Sequence, residues 1–243
     1  MNQIDIPMDI AIEATNLEKN YEETRALYIP ELSIKQGESF GLVGNNGAGK
    51  TTFFRLLLDL IRVSGGKVKS KGVDVKTSGG WKNYTGSYLD QSFLIDFLTP
   101  EEYFEFLIGI YGLSKGDLEN FYNDFETFFN GEILDKKKYI RDLSQGNRQK
   151  VGIAAALLPH PEILVLDEPF NGLDPSTQLR LVQLLNELKR TTNTTMLISS
   201  HDLRHVTEVC DRIVVLEKGK VIHDLNTNED TLKKLESYFA VYV

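Results

Sequence analysis

Cysteine is nearly absent from this chain. Cys210 is the only one in 243 residues, which excludes an internal disulfide and suits a reducing compartment. Long apolar runs are missing as well: no stretch approaches the roughly twenty residues of a membrane span. The opening, MNQIDIPMDI, lacks the basic and then apolar regions of a secretion signal. Any work at a membrane therefore has to pass through a partner. Positive charge is in the minority, 27 Lys and Arg against 35 Asp and Glu for a net charge of -8, which weighs against a nucleic-acid partner. His160, His205 and His223 have no metal-like spacing and read as solvated or packed. There is no internal repeat and no Pro- or Ser-rich linker. With 41% hydrophobic and 26% charged residues, the chain has the composition of one large α/β domain, or of a domain carrying a sub-domain.

Alternation in DIAIEATNLEKNY and again in ALYIPELSIKQGE predicts two strands of a small antiparallel layer. SFGLVG is a short apolar strand, followed by a glycine-rich loop and the helix KTTFFRLLLDLI. EILVLDEP and TTMLISSHD read as buried strands of the parallel type. DRIVVLEKGKVIHDL reads as a hairpin turning at Lys218 and Gly219. Between Gln91 and Leu143 the strand signals stop and helical periodicity takes over, in PEEYFEFLIGIYGL and KGDLENFYNDFETFF. Phe121, Phe125, Phe128 and Phe129 share one helix face and are expected to form that insert's core, the alternative being that some line a groove for a partner's cytoplasmic helix. Cys210 falls with Leu203 and Val206 at helical spacing as a core residue, and DKKK before Tyr139 reads as a solvated turn, with lipid-headgroup contact as the alternative.

GNNGAGKT, beginning at Gly44, fits the pattern G-x-x-x-x-G-K-[ST] in its proper strand-before, helix-after setting. Gly44, Gly47 and Gly49 let the backbone fold around phosphates, and N–H groups of this loop, Asn45, Asn46 and Ala48 included, face the phosphate oxygens. Lys50 reaches the β- and γ-phosphates, the Thr51 hydroxyl ligates Mg²⁺ and Thr52 serves the α-phosphate side. The expected fold class is therefore α/β: a P-loop NTPase core with a parallel-rich sheet, an N-terminal antiparallel β layer and an inserted α-helical sub-domain. The expected boundaries are core 1–91 and 143–225, helical insert 92–142 and a short tail 226–243. In ILVLDEP, Asp167 stands at the end of a buried strand, where it would hold the metal through water. Glu168 follows and, in an extended chain, points the other way, so that it can polarise an attacking water.

The phosphate loop, LSQGNRQK, ILVLDEP, NGLDP and ISSHD occur in this order and with these gaps. On those motifs the chain closely resembles the nucleotide-binding subunit of ATP-binding cassette transporters, from about Ile10 to Leu225. The resemblance implies a head-to-tail pair of cassettes. Ser144, Gln145 and Gly146, at the start of the signature helix of one chain, would close over ATP held by the other, with Asp174 in the loop that crosses between them. Asp174 also reads as a helix cap, and both roles are compatible. The signature departs from the family pattern at Gln145, in place of a glycine, and at Asn147, in place of a glutamine. Carried over residue by residue, Tyr21 stacks on adenine, Gln91 touches Mg²⁺ and joins core to insert, and His201 senses the γ-phosphate.

The function this resemblance implies is that of a cytoplasmic ATP-hydrolysing motor, peripheral on the inner face of the cell membrane, driving a separate integral permease. ATP and Mg²⁺ are its cofactors, a second cassette its partner, and no nucleic acid is involved. LTPEEYFEFLIGIYGL most resembles cassettes of exporters. A soluble cassette ATPase of the iron–sulfur assembly type is the alternative. A nucleotide-gated module that barely hydrolyses is opposed by Glu168 and His201.

Overall fold

Period-two alternation builds the first layer of the molecule, and continuous apolar runs build the second. A computed structural model of the chain describes residues 9–240. Residues 1–8, which make up most of the opening read above for a secretion signal, and residues 241–243 of the tail lie outside the described residues. In chain order the elements are β1 (Ile10–Tyr21), β2 (Thr24–Lys35), β3 (Ser39–Val43), α1 (Lys50–Leu57), β4 (Gly65–Ser70), β5 (Val73–Asp74) and β6 (Thr85–Tyr88). They continue with α2 (Pro100–Tyr111), α3 (Lys115–Phe129), α4 (Gln145–Leu157), β7 (Ile163–Leu166), α5 (Pro175–Thr191) and β8 (Thr195–Ser200). The chain closes with α6 (Leu203–Val209), β9 (Arg212–Glu217), β10 (Lys220–Asn226) and α7 (Thr231–Ala240).

The antiparallel layer has the order β2-β1-β4-β5, and the larger sheet the order β10-β9-β3-β8-β7-β6. Within the larger sheet all neighbours are parallel except β10 against β9. Its central strands are buried on both faces, which is why they read as unbroken apolar runs. Ile163 and Val165 of β7 face α1 and the antiparallel layer, whereas Leu164 and Leu166 face the helices on the other side. The helical region follows its caps. Thr99 and Glu102 form a reciprocal capping box at the start of α2, and Ser114 and Asp117 another at α3. Phe104 meets Phe121 edge-on at 5.0 Å, and Phe121 packs on Phe125 at 4.5 Å, so the phenylalanines do form the insert's core. Cys210 is buried, and burial pushes its thiol up to about 12. His205 stacks on Phe170, His223 touches Tyr238, and the lysines before Tyr139 are exposed.

The structure adds elements that periodicity does not signal. β4 and β6 are short and carry Gly, Lys, Ser and Thr in place of a run of branched residues, and β5 is only two residues long. β4 becomes a strand by pairing with the long β1, β5 by pairing with β4, and β6 by adding to the edge of the parallel sheet beside β7. The segment read as a tail is also structured: β10 runs through Asn226, and α7 buries Leu235 beside α6. Among the described residues, no helix is long and apolar enough to cross a membrane.

Two glycines set how closely α4 lies on β6. A Cβ on Gly86 would stand 1.9 Å from the Ala156 carbonyl oxygen, and one on Gly152 2.2 Å from the Tyr88 ring. Both neighbours are buried main chain or ring and have little room to give. Gly86→Ala is therefore expected to destabilise the protein by about 1–3 kcal/mol. A urea titration should show a lower midpoint at unchanged slope, and an unshifted midpoint would refute this close approach.

Candidate active site

The parallel strands deliver their C-terminal loops to one edge of the sheet, where open α/β sheets place ligands. After β3 the chain turns through Gly47 at φ 80 and Gly49 at φ 108, and Gly49 caps α1. Both angles favour glycine. The loop is tied into the fold: the Gly219 amide donates to the Ala48 carbonyl at 2.9 Å, and the Tyr28 amide donates to the Gly219 carbonyl at 2.7 Å. Asn45, Asn46 and Gly47 are exposed. Lys50 is buried, and its ammonium donates to the Gly44 carbonyl at 2.6 Å and lies 3.1 Å from Glu168 Oε1.

Thr51 Oγ1 donates to Asp167 Oδ2 at 2.5 Å, and the buried Ser199 hydroxyl donates to Asp167 Oδ1. Burial pushes the Asp167 carboxyl above its ordinary range, while the Ser199 and Thr51 hydroxyls pull it back. Glu168 departs from the extended chain expected of it. Its φ is 49, in the left-handed region, because β7 has already ended at Leu166 and the chain is turning. That turn, held by the Glu168 amide donating to Ser199 Oγ at 2.9 Å, brings its carboxylate between Lys50 and His201. His201 Nδ1 lies 2.8 Å from Glu168 Oε2, and the His201 amide donates to the same oxygen at 3.2 Å. Sequence reasoning missed Ser199, which touches both acids; its signal is a hydroxyl at the end of an otherwise apolar strand. It also missed Gln149, whose side-chain amide donates to the Pro169 carbonyl at 2.6 Å.

Thus Lys50, Thr51, Asp167, Glu168 and His201 form one cluster, and the other sequence candidates lie around it. Gln91 lines a cavity of about 360 Å³ with Asp167 and Glu168, and its amide donates to the Gln145 carbonyl at 3.0 Å. Ser144 caps α4, accepting from the Asn147 amide at 3.2 Å. Gln145 fits where a glycine would be usual because its side chain lies over Gly172: a Cβ there would stand 3.0 Å from Gln145 Nε2. Asp174 caps α5, taking the Ser176 and Thr177 amides at 3.0 and 3.1 Å and both their hydroxyls at 2.6 Å. Those bonds hold its carboxyl far below the usual carboxylate range. Tyr21 ends β1, half-exposed, with the Lys19 ammonium 4.9 Å from its ring. Among the described residues, no hydrogen bond or ion pair joins Ser144 or Gly146 to the phosphate loop of the same chain.

A phosphate loop, a strand-end acid pair and a facing histidine on a parallel sheet define a nucleoside-triphosphate-hydrolysing protein of the P-loop class. The sequence model described as "ABC transporter" matches residues 28–171, and the chain belongs to that family. It is an ATP-binding and ATP-hydrolysing subunit. The bacitracin transport ATP-binding protein BcrA of Enterococcus faecalis is 34% identical over 224 residues, covering 91% of this chain and 71% of that protein. The methionine import ATP-binding protein MetN of Carboxydothermus hydrogenoformans is 33% identical, covering 86% and 64%. Among solved structures, the dimeric MJ0796 cassette, a bacterial ABC transporter cassette, superposes with a TM-score of 0.79 at 26% identity, covering 89% of this chain and 99% of that one. The chain thus spans only part of these curated relatives.

Lys50 is the only cation in hydrogen-bond or ion-pair contact with this cluster among the described residues. Lys50→Ala should abolish ATP binding as read by titration calorimetry, since the β/γ charge loses its main point cation. Undiminished binding would remove the loop from the site.

Proposed function

We propose that this chain is the ATP-driven motor of an exporter, working head to tail with a second cassette on the cytoplasmic face of a separate integral permease. The observation that carries the reading is the Glu168 carboxylate standing between Lys50 and His201 beside the phosphate loop. Lys50 holds the β- and γ-phosphates, leaving the Gly44 carbonyl and Glu168 as they arrive. The freed Glu168 carboxylate accepts a proton from water aimed at the γ-phosphorus, and His201 keeps that carboxylate oriented. The Thr51 hydroxyl and the Asp167 carboxylate, with the Gln91 amide oxygen nearby, are hard oxygen donors that suit Mg²⁺. When bound, the ion neutralises charge on the β- and γ-oxygens. Tyr21 offers an exposed ring for adenine.

The first turn of α4 leaves the amides of Gln145 and Gly146 outside the helix ladder, and the helix dipole favours an anion there. This N-terminus has no bond to the chain's own phosphate loop, so it serves the partner's γ-phosphate, with Ser144 beside it. Each nucleotide then bridges two surfaces, and binding free energy drives closure. Phe93, Phe97, Phe106 and Ile110 are large apolar side chains left exposed around Gln91 and the insert, the kind of patch that meets a partner; a permease segment would dock there. The export direction rests on the segment LTPEEYFEFLIGIYGL. The iron–sulfur assembly alternative is not favoured, because BcrA and MetN are transport proteins.

Glu168→Gln should retain ATP binding, slow hydrolysis by about 10²–10⁴-fold, and accumulate an ATP-dependent dimer on sedimentation. A monomer at saturating ATP and Mg²⁺ would refute the two-chain site. Complementation tests the sharing directly. Ser144→Arg and Lys50→Ala chains should each be inactive alone, yet regain turnover on mixing, because one site of the mixed dimer then carries neither lesion. Loss of monomer ATP binding in Ser144→Arg would show the signature acting within its own chain.

A further inference from the structure

Lys150 lies on α4 four residues beyond Gly146, on the same helix face. Its side chain is only 1% exposed, and its ammonium sits 2.9 Å from Oε2 of Glu132, which is half-exposed. Glu132 comes from the loop that ends α3 in the helical insert. That loop is shaped for the contact. Asn130 and Gly131 turn it in the left-handed region at φ 52 and 65, and the Asn130 side chain donates to the other Glu132 oxygen at 2.9 Å. The hydrogen bonds from Asn130 and Lys150 hold the Glu132 carboxyl below its usual range, against the repulsion of the Asp174 charge. One residue before Lys150, the buried Gln149 grips the main chain beside the catalytic acids, at the Pro169 and Glu168 carbonyls. The signature helix is thus held on one side by the backbone of the acid pair and on another by the insert. An apolar residue would fill the Lys150 position without the desolvation cost of a buried ammonium, so packing alone does not call for this charge.

We propose that Lys150 and Glu132 are a positioning ion pair that keys the signature helix to the helical insert and so fixes where Ser144 and Gly146 stand toward the partner's nucleotide. The inference rests on the two-chain site described under the proposed function. Neither residue touches nucleotide; both act through the helix.

The test uses the full chain in a Glu168→Gln background, with ATP-dependent dimerisation read by sedimentation and monomer ATP affinity read by calorimetry. Lys150→Met and Glu132→Gln are each expected to weaken dimerisation about tenfold, in the range of coupled neighbours, while monomer ATP affinity stays within about twofold. The double variant should be no worse than the poorer single, and Lys150→Arg should recover dimerisation by keeping the pair. If Lys150→Met fails to fold, Glu132→Gln at its half-exposed position carries the comparison. A fall in melting temperature with an unchanged dimerisation constant would reduce the pair to a structural contact and overturn the proposal. A parent Glu168→Gln protein that never dimerises would instead bring down the two-chain reading, and this proposal with it. A parent that dimerises equally well with and without Glu132 would remove the positioning role alone.

Discussion

The parallel register of β3, β8 and β7 governs the active-site edge. Val43 stands opposite Ser200, and Leu166 opposite Ile198, so the three strands finish within a residue or two of one another. The phosphate loop, the acid pair and His201 are the first residues beyond those ends. Their convergence follows from where hydrogen-bonded strands stop, and the apolar runs buried on both faces prevent a register slip.

At this edge the main chain and one hydroxyl do much of the orienting. Ser199 binds Asp167 through its proton and the Glu168 amide through its oxygen. The two neighbouring acids therefore keep different surroundings: Asp167 meets hydroxyls and is buried, whereas Glu168 meets Lys50 and His201. Such a division suits one carboxylate for metal and the other for proton transfer. The left-handed φ of Glu168 is the local strain this arrangement needs, and it is held by bonds on both sides of the residue.

The start of α4 belongs to the same edge. Gln145 is accommodated because Gly172 has no side chain, and Gln91 binds the Gln145 carbonyl. The signature and the NGLDP loop are thereby tied together, Lys150 joins them to the insert through Glu132, and Gln149 joins them to the backbone beside the acid pair. Among the described residues the start of α4 makes no hydrogen bond or ion pair to the phosphate loop of its own chain, which agrees with the proposed two-chain site.

Much of this was legible in the sequence. The phosphate loop is readable because its chemistry demands glycines, a lysine and a hydroxyl at set spacing, and the central strands are readable because burial on both faces leaves no polar position. The insert's phenylalanine face and the terminal hairpin follow from periodicity and turn residues. Other features were decided only by tertiary contact. β4 is a strand because the long β1 pairs with it, β6 because the edge of the parallel sheet beside β7 accepts it, and α7 is a helix where the sequence reads as a tail. The turn at Glu168 and the reach of Ser199 depend on where two strands end relative to each other, and the pairing of Lys150 with Glu132 joins residues from separate structural elements. Local composition carries the chemistry of a residue and the period of its element, but not which distant group will satisfy a buried charge, because that partner exists only once the sheet and the insert have packed.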